Sequence, residues 1–398
     1  MAAIKVSKNN LFFIFIVFGY IFGIMLYDFI DFKYTDELMA VFLVLFTGLI
    51  LWERRNWNEA KPLYILSGIF LFYIIYSVVI KSNVNKAIIM DAIIQIKPFL
   101  GFYCTYLLMP ELSKKQKTFI TIMCIVFALI LLIIPLAEQT NTVFGHPSRF
   151  ATAVVVTAFL YLYCSSYTWN ELLTFIFILS IGIFSTRSKF YGFFVFAVMF
   201  SVIIKSGYIF KITSSSLLYS ILIICAVIIV SWNKINLYFI IGTVNNAGEL
   251  WARPALYGIS FLILIHYFPF GSGFGSFATY TSAQYYSNIY AKYHIDKLDG
   301  LSKDHPTFIA DTFYPSLAQF GIIGVILFFY FWIRILKVLF IYKKKYGMDK
   351  RYIIVSLIVA FFAIECIADS TFTHNRGFVM LVILGLTLSE MRSSLKYK

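Results

Sequence analysis

Apolar residues in this chain run on in long blocks, and short polar stretches punctuate them. A membrane-spanning helix needs roughly 20 mostly apolar residues, because each residue advances about 1.5 Å across a hydrocarbon core about 30 Å thick. The blocks predict twelve spans, near residues 11–27, 37–52, 62–80, 92–109, 118–136, 150–168, 171–185, 189–205, 216–232, 317–335, 352–369 and 376–391. The fourth carries Lys97 and Pro98 and is the weakest, while the seventh and eighth are short. One connection is long, 233–316. Inside it, 254–267 is apolar but short for a span, with Arg253 and His266 at its edges. That pattern predicts a helix lying at the membrane interface, with Pro254 at its first position. The expected fold is an all-α polytopic membrane protein of about twelve transmembrane helices. Helices 1–9 fall in 1–232, a large, partly helical loop in 233–316, and helices 10–12 in 317–398. No fixed-period repeat is visible.

Composition agrees with this picture. The 398 residues are 61% hydrophobic and 13% charged, whereas soluble domains are about a quarter charged. Aromatics make up 20%, and rings with a polar tip suit the water–lipid boundary. The first apolar run has no small-residue cleavage site and another run follows it, so it reads as a first span and not as a removable leader. Cys104, Cys124, Cys164, Cys225 and Cys366 all lie in apolar stretches without metal-like spacing. They read as small buried hydrophobes, and neither a disulfide nor a metal site is expected.

The net charge of +14 reads as a topology signal and not as a nucleic-acid surface. Lys and Arg accumulate on cytoplasmic loops. With the N-terminus in the cytoplasm, 20 of the 33 basic residues fall inside, 12 outside, and Lys97 within a span. Asp28, Asp31, Asp36 and Glu37 cluster outside. Both termini are therefore expected in the cytoplasm and the long loop outside.

Against that bias, Arg149, Arg187, Lys189, Arg253 and Arg376 stand beside outward span ends. Singly, each could simply reach for lipid headgroups. Together they would form a cationic surface at headgroup depth, suited to a phosphate or pyrophosphate. The stretch GSGFGS, Gly271 to Ser276, has no preceding strand, so it reads as a tight turn and not as a nucleotide loop. The tyrosine-rich segment after it fits either sugar stacking or aromatics packed on the membrane surface. Asp304 reads as a solvated charge. His305 and Asp311 are candidate bases for a sugar hydroxyl. Asp369, His374 and Arg376 either complete the cationic pocket or anchor helix ends, with anchoring favoured.

The order of these features resembles the Wzy-type O-antigen polymerases of the O-antigen ligase and polymerase superfamily. The resemblance is architectural over nearly the whole chain and sharpest in four stretches: RFATAV from Arg149, FSTRSKFYG, RPALYGISFLILIHYFPFGSGFGSF, and ADTFYPSLAQFGIIGVILFF. It implies a glycosyltransferase of the bacterial inner membrane with a periplasmic active site. Such an enzyme joins oligosaccharide repeat units carried on undecaprenyl pyrophosphate, with no metal and no cofactor. The implied partners are that lipid-linked oligosaccharide and membrane lipid, and a chain-length regulator protein remains open. Arg187 would contact the pyrophosphate with Lys189 assisting, Arg149, Arg253 and Arg376 would share the charge, and Asp311 ranks above His305 as base. The related ligases carry a histidine, often His-Asn, where this chain reads ADTFY, which tilts the expectation from ligase toward polymerase. A flippase or transporter for lipid-linked sugar is the alternative of a different class.

Overall fold

The computed structural model describes residues 7–30, 34–55, 57–207 and 251–396. These residues form twelve helices of twelve residues or more. In chain order they are α1 (Lys8–Tyr20), α2 (Thr35–Arg54), α3 (Lys61–Val79), α4 (Asn85–Leu108), α5 (Lys114–Leu136) and α6 (Pro147–Cys164). Then come α7 (Trp169–Ser180), α8 (Ser188–Lys205), α9 (Ala252–His266), α10 (Gly321–Tyr346), α11 (Lys350–Glu365) and α12 (Asn375–Lys396). Among the described residues, nine helices are long and apolar enough to cross a membrane: α1 to α6, α8, α10 and α12. The chain is an all-helical, multi-pass membrane protein.

Several boundaries differ from the sequence expectation for local reasons. The expected ninth span, 216–232, lies outside the described residues. The expected seventh becomes α7 continued by a 3₁₀ turn, Ile181–Ser185. A 3₁₀ turn rises about 2.0 Å per residue, so the combined element reaches about 28 Å, close to a full crossing. α4 starts at Asn85 and keeps both Lys97 and Pro98 inside the helix. α11 stops at Glu365, earlier than the expected 369, which leaves Asp369 in the following turn. The expected interfacial helix is α9, but it opens at Ala252. Pro254 is therefore its third residue and not its first, a position whose N–H has no helical partner anyway. The ends themselves are written locally: Ser113 with Gln116, and Thr168 with Glu171, form reciprocal capping boxes that start α5 and α7.

Burial ranks the helices. The apolar window of α6 is 89% buried and that of α12 is 72%, against 17% for the window of α3. α6 and α12 thus form the centre, and α3 presents most of its surface outward, as a lipid-facing helix does. Small residues let α4 and α12 approach closely. A Cβ on Gly385 would stand 2.5 Å from the Phe102 carbonyl oxygen, and one on Gly101 would stand 2.8 Å from the Phe378 ring. This is the packing expected where dispersion, and not water exclusion, joins helices.

Side-chain contacts define two ends of the bundle. At one end, Lys8 bonds the Leu108 and Met109 carbonyls at 2.9 and 3.0 Å, Lys117 meets Glu390 at 3.5 Å, and Lys350 bonds the Tyr163 carbonyl at 2.8 Å. Lys205 reaches the Tyr167 carbonyl there as well. The opposite end gathers the first turns of α6, α8, α9 and α12 with the turn after α11. Residues 207 and 251, on either side of the undescribed 208–250, lie at opposite ends.

The segment after α9 docks on the α3–α4 corner. Tyr76 donates to the Gly271 carbonyl at 2.8 Å, Asn83 to that of Gly275 at 2.7 Å, and the Phe274 amide to Ser77 Oγ at 2.8 Å. Gly271 and Gly273 have φ of +82° and +84°, and a Cβ on Gly271 would lie 2.2 Å from the Gly321 amide nitrogen. The glycines of GSGFGS therefore serve a turn pressed against helices, as its lack of a preceding strand suggested.

Candidate functional site

Four helix starts supply the cations at the second end. A left-handed Gly145, φ +66°, closes a short helix, after which His146 caps α6 and Pro147 opens it. Arg149 then falls in its first turn. Thr186, φ +54°, turns the chain so that Arg187 caps α8 and Lys189 follows one residue into it. Arg253 lies in the first turn of α9 and Arg376 in that of α12. Basic residues are disfavoured at helix N-termini, where the macrodipole is already positive. Anions must offset them, and the fold provides carboxylates.

Asp28 takes two arginines, one per oxygen. Arg149 Nη1 lies 2.9 Å from Oδ1, and Arg376 donates to Oδ2. Arg376 is 3% exposed at its side chain and Asp28 8%, whereas Arg149 is 45% exposed. Lys189 Nζ stands 2.6 Å from Glu365 and 3.3 Å from Asp369. Arg253 Nε donates to Asp311 Oδ2 at 2.7 Å, and Nη2 donates to the same oxygen. Asp311 Oδ1 is left clear of Arg253. Among the described residues, Arg187 alone of the five cations has no carboxylate within salt-bridge distance; its Nη2 lies 2.5 Å from His146 Nε2.

The pieces interlock. Tyr257, on α9, donates to the Ile367 carbonyl at 2.7 Å, and Ser370 Oγ donates to that of Ala310 at 2.8 Å. The turn after α11 therefore holds both α9 and the segment bearing Asp311. Burial lowers the His146 pKa, and Arg187 adds to the effect, with Arg149 and Lys189 also acting and Asp369 opposing. The ring is neutral at neutral pH and sits among the cations. Burial likewise pushes His374 down to about 4 against the pull of Asp369. Burial pushes the Asp369 carboxyl up, but Lys189 and the Thr371 hydroxyl outweigh it and hold the group at about 2. Burial raises the Asp311 pKa, with Arg253 working against it. Asp311 is thus a carboxylate nearer to a useful proton affinity than a surface aspartate, and it is fixed through one oxygen only.

Arg149, Arg187, Lys189, Arg253, Arg376 and Asp311 thus come together at one end. Four carboxylates stand among the cations, Asp28, Asp311, Glu365 and Asp369, so the surface is a nearly balanced network and not the bare cationic patch expected. His305 is not brought in: it is exposed, with its backbone amide on Ser302 Oγ at 3.1 Å. The tyrosine-rich segment divides. Tyr290 is fully buried and bonds the Ala278 amide at 2.9 Å, whereas Tyr280 is 52% exposed. Sequence reasoning missed His146, and it missed Asp28 and Glu365 as counter-charges. The stretch GHPSR carried the signal for His146, since Gly, then a capping residue, then Pro marks a helix start.

Among the described residues, no group of three or more His, Cys, Asp or Glu side chains is placed to hold a metal ion. No protein-family model matches the chain, and the search of curated proteins gives no match.

Proposed function

We propose that the protein is a polymerase that joins lipid-pyrophosphate-linked oligosaccharide repeat units, as the resemblance to the Wzy-type enzymes implies. The observation that carries this reading is the gathering of Arg149, Arg187, Lys189, Arg253 and Arg376 around one bundle end, with Asp311 held beside them by Arg253. The opposite end holds Lys8, Lys117, Lys205, Lys343, Lys344, Lys345 and Lys350. By the inside preference of basic residues, that end is cytoplasmic and the arginine end periplasmic.

In the proposed reaction an acceptor sugar hydroxyl attacks the anomeric carbon of the donor. The bond between that carbon and the phosphate oxygen breaks, and undecaprenyl pyrophosphate leaves. The hydroxyl proton goes to Asp311 Oδ1. Negative charge grows on the departing diphosphate, and cations fixed there beforehand stabilise it more in the transition state than in the bound donor. Arg187 is the first to engage the diphosphate because, among the described residues, it has no carboxylate to leave. Arg149, half exposed and sharing Asp28 with Arg376, is the second. Because the lipid diphosphate is the activated donor, no nucleotide is consumed.

The test uses purified protein in lipid nanodiscs with synthetic undecaprenyl-pyrophosphate-linked repeat units, without nucleotide. A ladder of products differing by one repeat unit is expected. An absence of ladder with intact, folded protein contradicts the reading. A strain lacking the protein separates polymerase from ligase: core bearing a single repeat unit is expected, and bare core would assign the ligase.

One observation favours the transporter alternative. Lys97, 4% exposed inside α4, binds Asp36 and lies 2.7 Å from Glu37 Oε1 on α2. Buried ionisable groups of this kind mark substrate or ion pathways. Movement of fluorescent lipid-linked oligosaccharide across liposomes, dependent on Lys97, would support it.

A further inference from the structure

The Ser148 amide donates to His146 Nδ1 at 3.2 Å, which caps the start of α6. A neutral imidazole has one N–H, so its proton sits on Nε2. Arg187 Nη2 lies 2.5 Å from that nitrogen and 3.5 Å from Nδ1. A guanidinium only donates and cannot accept. Two donors therefore stand side by side, and among the described residues no acceptor meets Nε2–H. The other protonation states leave a mismatch as well. A proton moved to Nδ1 would meet the Ser148 N–H, and a doubly protonated ring would repel Arg187. The nearby carboxylates are taken: Asp28 by Arg149 and Arg376, Glu365 and Asp369 by Lys189, and Asp311 by Arg253. His146 is exposed and Arg187 half-buried, so the pair is open to an outside ligand.

We propose that His146 Nε2–H and the Arg187 guanidinium together hold a phosphate oxygen of the donor's diphosphate. This deepens the function proposed above and rests on it. An oxyanion accepts from both donors at once and removes the mismatch in every protonation state of the ring. Hydrogen bonds to an ionised acceptor are also the strong ones. His146 acts here as a binding group and not as the base, which stays with Asp311. Arg149 follows in the first turn of α6, where its amide bonds the His146 carbonyl at 3.0 Å. Its half-exposed guanidinium serves the second phosphate.

Two substitutions separate the cap from the donor. Asn is among the preferred caps, so His146→Asn keeps the contact with Ser148 but is too short to place an N–H where Nε2 stands. Gln reaches about as far as Nε2 with an N–H but is not a preferred cap. Wild-type protein and both variants are placed in nanodiscs with undecaprenyl pyrophosphate. Retained lipid is counted by native mass spectrometry, with thermal unfolding alongside. His146→Asn is expected to keep the wild-type Tm and to hold the lipid roughly 10–100-fold more weakly, as fits one lost hydrogen bond to a charged group. His146→Gln is expected to lose some Tm and to hold the lipid nearly as tightly as wild type. Should His146→Asn fail to fold, His146→Ser, also a capping residue, takes its place with the same expected result. Wild-type retention by His146→Asn overturns the inference. So does weak retention by His146→Gln in step with its fall in Tm, which would make His146 a cap alone. Either result leaves the polymerase reading in place, because ladder formation by the wild-type protein tests that separately. A wild-type protein that holds no lipid and makes no ladder removes both.

Discussion

The two ends of the bundle use the same residue types in opposite ways. At the Lys8 end, cations rest on backbone carbonyls: Lys8 on Leu108 and Met109, Lys350 on Tyr163 and Ser165, Lys205 on Tyr167. The carbonyls of Leu108, Met109, Tyr163 and Ser165 belong to the last turns of helices or the residues just beyond them, where positive charge is favoured, and that of Tyr167 lies in the connection between α6 and α7. Such lysines complete helix ends and leave no unmet demand. At the Arg187 end, as at the Lys8 end where Lys8 and Lys350 open α1 and α11, cations occupy first turns, but here carboxylates from other elements hold Arg149, Lys189, Arg253 and Arg376. Cations gathered this closely need anions to offset their mutual repulsion. Carboxylates meet that need in the resting protein, and a diphosphate meets it in the proposed complex.

The comparison can be broken at several points. The largest effect is expected from Asp28→Ala. It strips two arginines at once, and Arg376 stays buried without its counter-charge. Removing one partner of a buried pair costs about 3–5 kcal/mol, so thermal unfolding should show a large fall in Tm. Retention of the wild-type Tm would mean that the network is not holding the end together. Next is Arg187→Ala, which removes a cation that has no carboxylate partner among the described residues. Turnover should fall about 10²–10³-fold with little change in Tm, measured by ladder formation and by unfolding. Loss of stability with unchanged turnover would make Arg187 a helix anchor like the lysines opposite.

The third prediction concerns pH. A base works only when ionised, and burial raises the Asp311 pKa while Arg253 opposes that shift. Turnover should therefore fall on acidification at a higher pH than an ordinary aspartate, near 3.9, would give. Arg253→Gln removes the opposing cation, so the acid limb should move higher still. A limb that stays in place in Arg253→Gln assigns the base elsewhere. The smallest effect belongs to the other end. Lys8→Met loses two hydrogen bonds to carbonyls at the bundle surface. It should cost on the order of 1 kcal/mol and leave turnover unchanged.

Much of the fold was legible because long apolar runs have one outcome in lipid, where every backbone group must be bonded within its own helix. The runs at 118–136 and 150–168 became α5 and α6 nearly as drawn. Where the expectation slipped, capping or local geometry decided: the 3₁₀ extension of α7, the early stop of α11, the start of α9 before its proline. The cations of the site could be picked out because the sequence sets each beside an expected outward span end, against the expected topological bias. Their partners could not. That Asp28 would serve both Arg149 and Arg376, more than a hundred positions away, is a property of packing and not of spacing. His305 stands apart from the cluster for the same reason: the turn after α11 ties the Asp311 segment to it and leaves His305 outside.

The most direct test of the central claim measures lipid retention. Wild-type protein, Arg187→Ala and Lys8→Met are each placed in nanodiscs with undecaprenyl pyrophosphate, and bound lipid is counted by native mass spectrometry. The account predicts one tightly held diphosphate on wild type and Lys8→Met, and at least tenfold weaker retention on Arg187→Ala. Equal retention on all three proteins would contradict it.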